Sequence, residues 1–136
     1  MQHIKEEYEL LLRRARATRA FAYAPYSRFA VGAALSTRSG AIFVGANVEN
    51  ASYGLTICAE RAAVGAAIAA GETEFVAVAI TADSSAPPLP CGACRQVLAE
   101  FNPDLAIICS TTGGAVEQYK LQDLLPRAHQ GLSHKR

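Results

Sequence analysis

The chain has 136 residues, of which 13 are basic and 12 acidic, giving a formal charge of +1. A balance this even excludes the strong basic field that holds a phosphate backbone, and so argues against nucleic acid as partner or substrate. The length predicts one domain over residues 1–136 that buries roughly two-thirds of its unfolded surface. A hydrophobic fraction of 51%, much of it alanine and none of it tryptophan, predicts elements that approach each other closely.

No apolar run follows a basic start, and no stretch approaches the ~20 apolar residues of a membrane span. The expectation is a cytoplasmic protein with no membrane contact. In residues 4–21, Ile4, Tyr8, Leu11, Leu12 and Ala15 recur near the helical period, with Glu6, Glu7 and Glu9 early and Arg13, Arg14, Arg16 and Arg19 late. That order suits the helix dipole, so the arginines read as a solvated face. Ala24-Pro25-Tyr26-Ser27 ends the helix, and two strands over residues 29–37 and 41–47 flank a Ser39-Gly40 hairpin turn.

A polar loop over residues 48–54 leads into a helix expected over residues 58–70, stopped by Gly71 and so small and apolar that it reads as buried. Strands are expected over residues 75–81, 105–110 and 115–119. Between the first two lies a helix over residues 91–101, ended by Asn102-Pro103, and a short helical turn and a tail from about residue 130 close the chain. Strands alternating with buried helices predict a layered α/β domain with a partly parallel sheet.

The chemistry concentrates in Cys58-Ala59-Glu60-Arg61 and Pro90-Cys91-Gly92-Ala93-Cys94. Taken singly, the C-x-x-C pair fits a redox motif and Cys58 a packed core thiol. Together, beside an acid, they fit a metal site in a reducing compartment, with zinc as the ion for a soft sulfur set. Three protein ligands leave a position open, as in catalytic rather than structural zinc sites. Cys109 sits within an apolar strand and reads as core. Three thiolates overcompensate a divalent ion, so positive charge must return from two helix starts and from Arg61 as a donor to the sulfurs. Glu60 lies two residues past a ligand, cannot share its direction on a helix, and suits a proton carrier.

C-x-E with a later P-C-x-x-C is the zinc deaminase signature. With residues 24–35, Asn47 to Tyr53 and, more loosely, residues 117–126, the chain resembles the small cytidine deaminases of the homotetrameric three-cysteine type. The resemblance implies a three-layer fold, a mixed five-stranded sheet with helices on both faces, and one Zn2+ per subunit held by Cys58, Cys91 and Cys94. It implies hydrolysis of cytidine or deoxycytidine, a step of pyrimidine salvage, with Glu60 protonating ring nitrogen 3 and then the departing amine. Phe29 is then the aromatic on the base, Asn47 and Glu49 the ribose pair, and the Ala59 backbone a base contact. Ala51, Tyr53 and His129, which stands where the family usually has phenylalanine, would reach a neighbouring subunit's site. From the residues themselves, Phe29 also fits a core position and Asn47 a turn former. A deaminase of another small substrate, such as blasticidin S, is the nearest rival, and Asn-Val-Glu-Asn at residues 47–50 favours a nucleoside. A zinc-stabilised binding module is the rival of another class, in which Glu60 would be needless.

Overall fold

The computed structural model describes residues 4–128, so His129 and the tail over residues 130–136 lie outside the described residues. The elements in order are α1 (Glu6–Arg19), β1 (Val31–Thr37), β2 (Ile42–Ala46), α2 (Ala59–Ala69), β3 (Phe75–Ala82), α3 (Gly92–Phe101), β4 (Ala106–Thr111), β5 (Val116–Lys120) and α4 (Leu121–Leu124). The five strands form one sheet in the order β2-β1-β3-β4-β5. Only β3 and β4 run parallel, and the connection between them carries α3, as a parallel pair requires. The expected mixed α/β sheet is therefore present.

Alternation along the strands sorts the core onto two faces. Ala34, Ala77, Ala79 and Ile108 pack with Leu11, Leu12 and Ala15 of α1. Their neighbours Leu35, Val78, Ile80, Ile107 and Cys109 pack on the other face with Ala63, Val64 and Ala67 of α2 and Leu98 and Ala99 of α3. Full burial of Leu11 and Leu12 contributes roughly 1.5–3 kcal/mol each. The alanines on the α1 face do different work, leaving room for the helix to lie flat on the strands.

Several expectations need correction. The first helix ends at Arg19 rather than at residue 21, because the Phe21 amide turns back onto the Thr18 carbonyl and Tyr23 then pairs with Val48. The first strand begins at Val31 rather than at residue 29, because Asn47 takes the Phe29 carbonyl and the Val31 amide with its side chain. The α2 helix is not buried all round in the single chain, where Gly65, Ala66, Ile68 and Ala69 are exposed. The apolar composition of that helix reports a second face with no cover among the described residues.

Two glycines make helix-to-strand contact possible. A Cβ at Gly32 would meet the Ala15 carbonyl at 2.0 Å, and one at Gly45 would meet the Ala59 carbonyl at 2.4 Å and the Ala63 amide at 2.5 Å. Gly32 thus seats α1, and Gly45 seats the first turn of α2. We predict that Gly32→Ala and Gly45→Ala each lower the unfolding free energy by about 1–3 kcal/mol or more, read by denaturant titration. Losses under about 0.5 kcal/mol would show that the helices are not set by these contacts.

Candidate metal centre and the cleft beside it

Cys58 is the N-cap residue of α2 and Cys91 that of α3, with Cys94 in the first turn of α3. Each N-cap has extended backbone, and of the two only Cys91 caps its own helix through its side chain. The Cys91 sulfur accepts from the Cys94 amide at 3.5 Å. The three sulfurs lie within 4.8 Å of one another. Cys58 and Cys91 are 3.9 Å apart, against the ~3.8 Å that two sulfurs at ~2.3 Å from one tetrahedral zinc would show. The donor set and spacing therefore fit a single zinc ion. Cys109, the fourth cysteine, is fully buried in β4 as core.

The electrostatics point the same way. The Cys58 thiol is lowered to about 5, first by its hydrogen bond with Cys94 and then, against a desolvation cost, by Arg61. Cys94 is pushed up by that same bond and by burial. Thiols this close cannot all ionise easily on their own, and a divalent cation among them would favour the loss of their protons. Arg61 donates through Nη2 to the Cys58 sulfur at 3.3 Å, and this bond is the first cause of the rise in its own pKa.

Glu60 and Arg61 are consecutive on α2 and diverge, as residues about 100° apart on a helix must. Glu60 faces a cleft of about 270 Å³ shared with Phe29, Val31, Asn47, Ile80 and Leu89. Arg61 faces an adjoining cleft of about 490 Å³ that includes Tyr26, Asn50 and Tyr53. Cys58, Cys91, Ser27, Glu49 and Thr56 line both. The smaller cleft, apolar with a few converging polar groups, has the character of a small-molecule site. Glu60 is only 5% exposed there, and burial, with a lesser push from Cys58, raises its carboxyl to about 7.

At the outer end, Asn47 donates to the Phe29 carbonyl at 2.8 Å and accepts from the Val31 amide at 2.9 Å. An amide offers two donors and two lone pairs, so one of each remains for a ligand. Glu49 accepts from the Tyr26 and Ser27 amides at 3.0 and 3.1 Å and from the Ser27 hydroxyl. These bonds, the Ser27 hydroxyl first, hold its carboxyl below the usual range. Ser27 also accepts from the Phe29 amide at 3.0 Å. The structure thus brings Phe29, Asn47, Glu49, Ala59 and Glu60 around one cleft, whereas Tyr53 stands 90% exposed on the other side. Ala51 is exposed as well. Sequence reasoning missed Ser27, whose signal was a hydroxyl two residues before an aromatic in a proline turn, the pattern of a local side-chain-to-backbone bond.

The family described as "Cytidine and deoxycytidylate deaminase zinc-binding region" matches residues 5–110. A cytidine deaminase of Halalkalibacterium halodurans is 47% identical over 121 residues, 88% of this chain and 92% of its own. The crystal structure of a cytidine deaminase from Burkholderia pseudomallei is similar with a TM-score of 0.85 at 48% identity, covering 93% of this chain and 98% of that one. A blasticidin-S deaminase of Bacillus cereus is more distant, 27% identical over 104 residues, 71% of this chain and 74% of its own. The chain belongs to the zinc-dependent cytidine and deoxycytidylate deaminase family.

Burying an ionised Glu60 has a stability cost. Its ordinary value is 4.5 and its value in the fold about 7, so the stability linked to its proton is whole below about 4.5 and is lost as pH rises through 7. Charging it in place costs on the order of 3 kcal/mol. In metal-free protein, Glu60→Gln is therefore predicted to raise the unfolding free energy at pH 8 by about 1–3 kcal/mol, with the gain fading towards pH 5. Denaturant titrations at the two pH values check this, and a loss of stability at pH 8 would contradict it.

Proposed function

We propose that the chain, acting as one domain, hydrolyses cytidine and deoxycytidine to the uridine forms with release of ammonia. The observation that carries this reading is a buried carboxyl, raised towards neutrality, facing the cleft whose wall holds the three sulfurs. Cys58, Cys91 and Cys94 would hold zinc, which supplies the Lewis acidity that makes water a nucleophile near neutral pH. Glu60 would take one proton from the attacking water and deliver it to ring nitrogen 3, then take the second from the oxygen newly bonded to carbon 4 and pass it to the departing amine, a shuttle that favours a carboxyl near the working pH. Arg61 and the amides of two helix starts offset the sulfur charge. Phe29 and Leu89 offer apolar surface to the base, and the Ala59 backbone lies on the same wall. Asn47 and Glu49, held by Ser27 and the strand edge, keep free hydrogen-bonding capacity for the ribose hydroxyls. A free 3′-hydroxyl bound there excludes a polymer, in accord with the balanced charge.

The larger cleft, lined in part by Tyr53, is in keeping with a homotetramer in which Ala51, Tyr53 and His129 would reach a neighbouring subunit's site. Phe21, Tyr53 and Leu55 are exposed, as is one face of α2. The Arg61 Nε is buried without a partner among the described residues, a donor that an acceptor from another subunit would satisfy. Among the described residues no helix is long and apolar enough to cross a membrane. Four free thiols, three of them needed for metal, support a reducing cytoplasm, and the proposed nucleoside substrates would place the reaction in pyrimidine salvage.

The test is the loss of cytidine ultraviolet absorbance at matched zinc content. Wild type should turn over cytidine and deoxycytidine. Glu60→Gln should lose about 10²–10⁴-fold in kcat, and Arg61→Ala should lose about tenfold or more while keeping its zinc. A kcat in Glu60→Gln within about tenfold of wild type, or no activity in zinc-loaded wild type with either nucleoside, would refute the reading.

A further inference from the structure

One side chain outside the cluster touches both the loop that delivers Cys91 and the last helical turn of the described chain. Arg95 follows Cys94 in α3. Its Nε donates to the Pro90 carbonyl at 2.7 Å and its Nη1 to the Leu124 carbonyl at 3.0 Å. Pro90 is fully buried and immediately precedes Cys91, so the first bond fixes the peptide that carries that ligand. A helix leaves its last carbonyls without an internal donor, and the second bond supplies one at the end of α4. Past that point Leu125 and Ala128 pack on the same core cluster as Leu98 and Ala99 of α3.

We propose that Arg95 is a positioning residue that couples the metal centre to the C-terminal segment. Through Pro90 it holds Cys91 where its sulfur can share an ion with Cys58 and Cys94. Through Leu124 it makes the order of residues 121–128 depend on whether that ion is bound. Guanidinium suits the task because its donors sit in a rigid planar fork and can serve two carbonyls at once, whereas an ammonium on a flexible stem is a single point. Coupling of this kind is reciprocal, so the C-terminal segment in turn steadies the metal. The inference goes beyond the proposed reaction but rests on the metal reading of the cluster.

Zinc-loaded wild type, Arg95→Lys and Arg95→Ala would be compared in two ways, by the rate of zinc transfer to an excess of chromogenic chelator and by amide hydrogen exchange over residues 121–128 before and after zinc removal. Release should be about tenfold faster in Arg95→Lys and about 10–100-fold faster in Arg95→Ala. In wild type, zinc removal should speed exchange over residues 121–128 several-fold. In Arg95→Ala the exchange there should already be fast and indifferent to zinc, which general destabilisation alone would not produce. Release within about twofold of wild type in both variants, or wild-type exchange over residues 121–128 that ignores zinc, would overturn the proposal. Should Arg95→Ala fail to fold, Arg95→Lys and the wild-type exchange carry the test. Wild type that takes up no zinc overturns the metal reading and this inference together, while unchanged release from zinc-loaded variants overturns this inference alone.

Discussion

Three sulfurs that approach within 4.8 Å of one another repel when ionised, and a cation among them holds its charge only if the surroundings return what the thiolates oversupply. Two helix starts and one guanidinium meet that demand. Cys58 and Cys91 are N-cap residues, so the positive ends of α2 and α3 point at the cluster, and Arg61 bonds the Cys58 sulfur directly. For those two helices to begin side by side, α2 must press its first turn onto β2, and Gly45 leaves space for the Ala59 carbonyl and the Ala63 amide there. The parallel β3-β4 pair in turn places α3 over the same face of the sheet. The small residues of this chain are thus a condition of the chemistry as much as of the packing.

One helical step separates the guanidinium that bonds the Cys58 sulfur from the carboxyl proposed to move protons. Arg61 turns towards the larger cleft and Glu60 towards the smaller one, so they face different clefts beside the same sulfur, that of Cys58. Had the order been reversed, the buried side would hold a permanent cation instead of a carboxyl whose charge can change. Burial raises Glu60 into the range where it can both take and give a proton. That position is unfavourable for the fold, a cost of the kind active sites carry when stability and function make opposed demands.

Much of this could be read in the sequence because it depends on local spacing. The five strands, the partly parallel sheet, Cys58 and Cys91 at helix starts and the divergence of Glu60 from its neighbouring ligand all follow from periodicity and cap positions over a few residues. What escaped reading depended on contacts between distant segments. Ser27 and Glu49 meet across 22 residues, and Arg95 and Leu124 across 29, and neither pair leaves a mark in local composition. The bare face of α2 is a related case. Small apolar side chains cover themselves equally well against their own chain or against another copy, so composition cannot tell the two apart, and His129 falls beyond the described residues.

The central claim is a trithiolate zinc centre with one position left for water. X-ray absorption at the zinc edge on protein purified with its native metal tests it most directly. The account predicts three sulfur neighbours at about 2.3 Å and one lighter neighbour at about 2.0 Å per zinc. Four sulfurs, or a shell of nitrogen and oxygen alone, would contradict it.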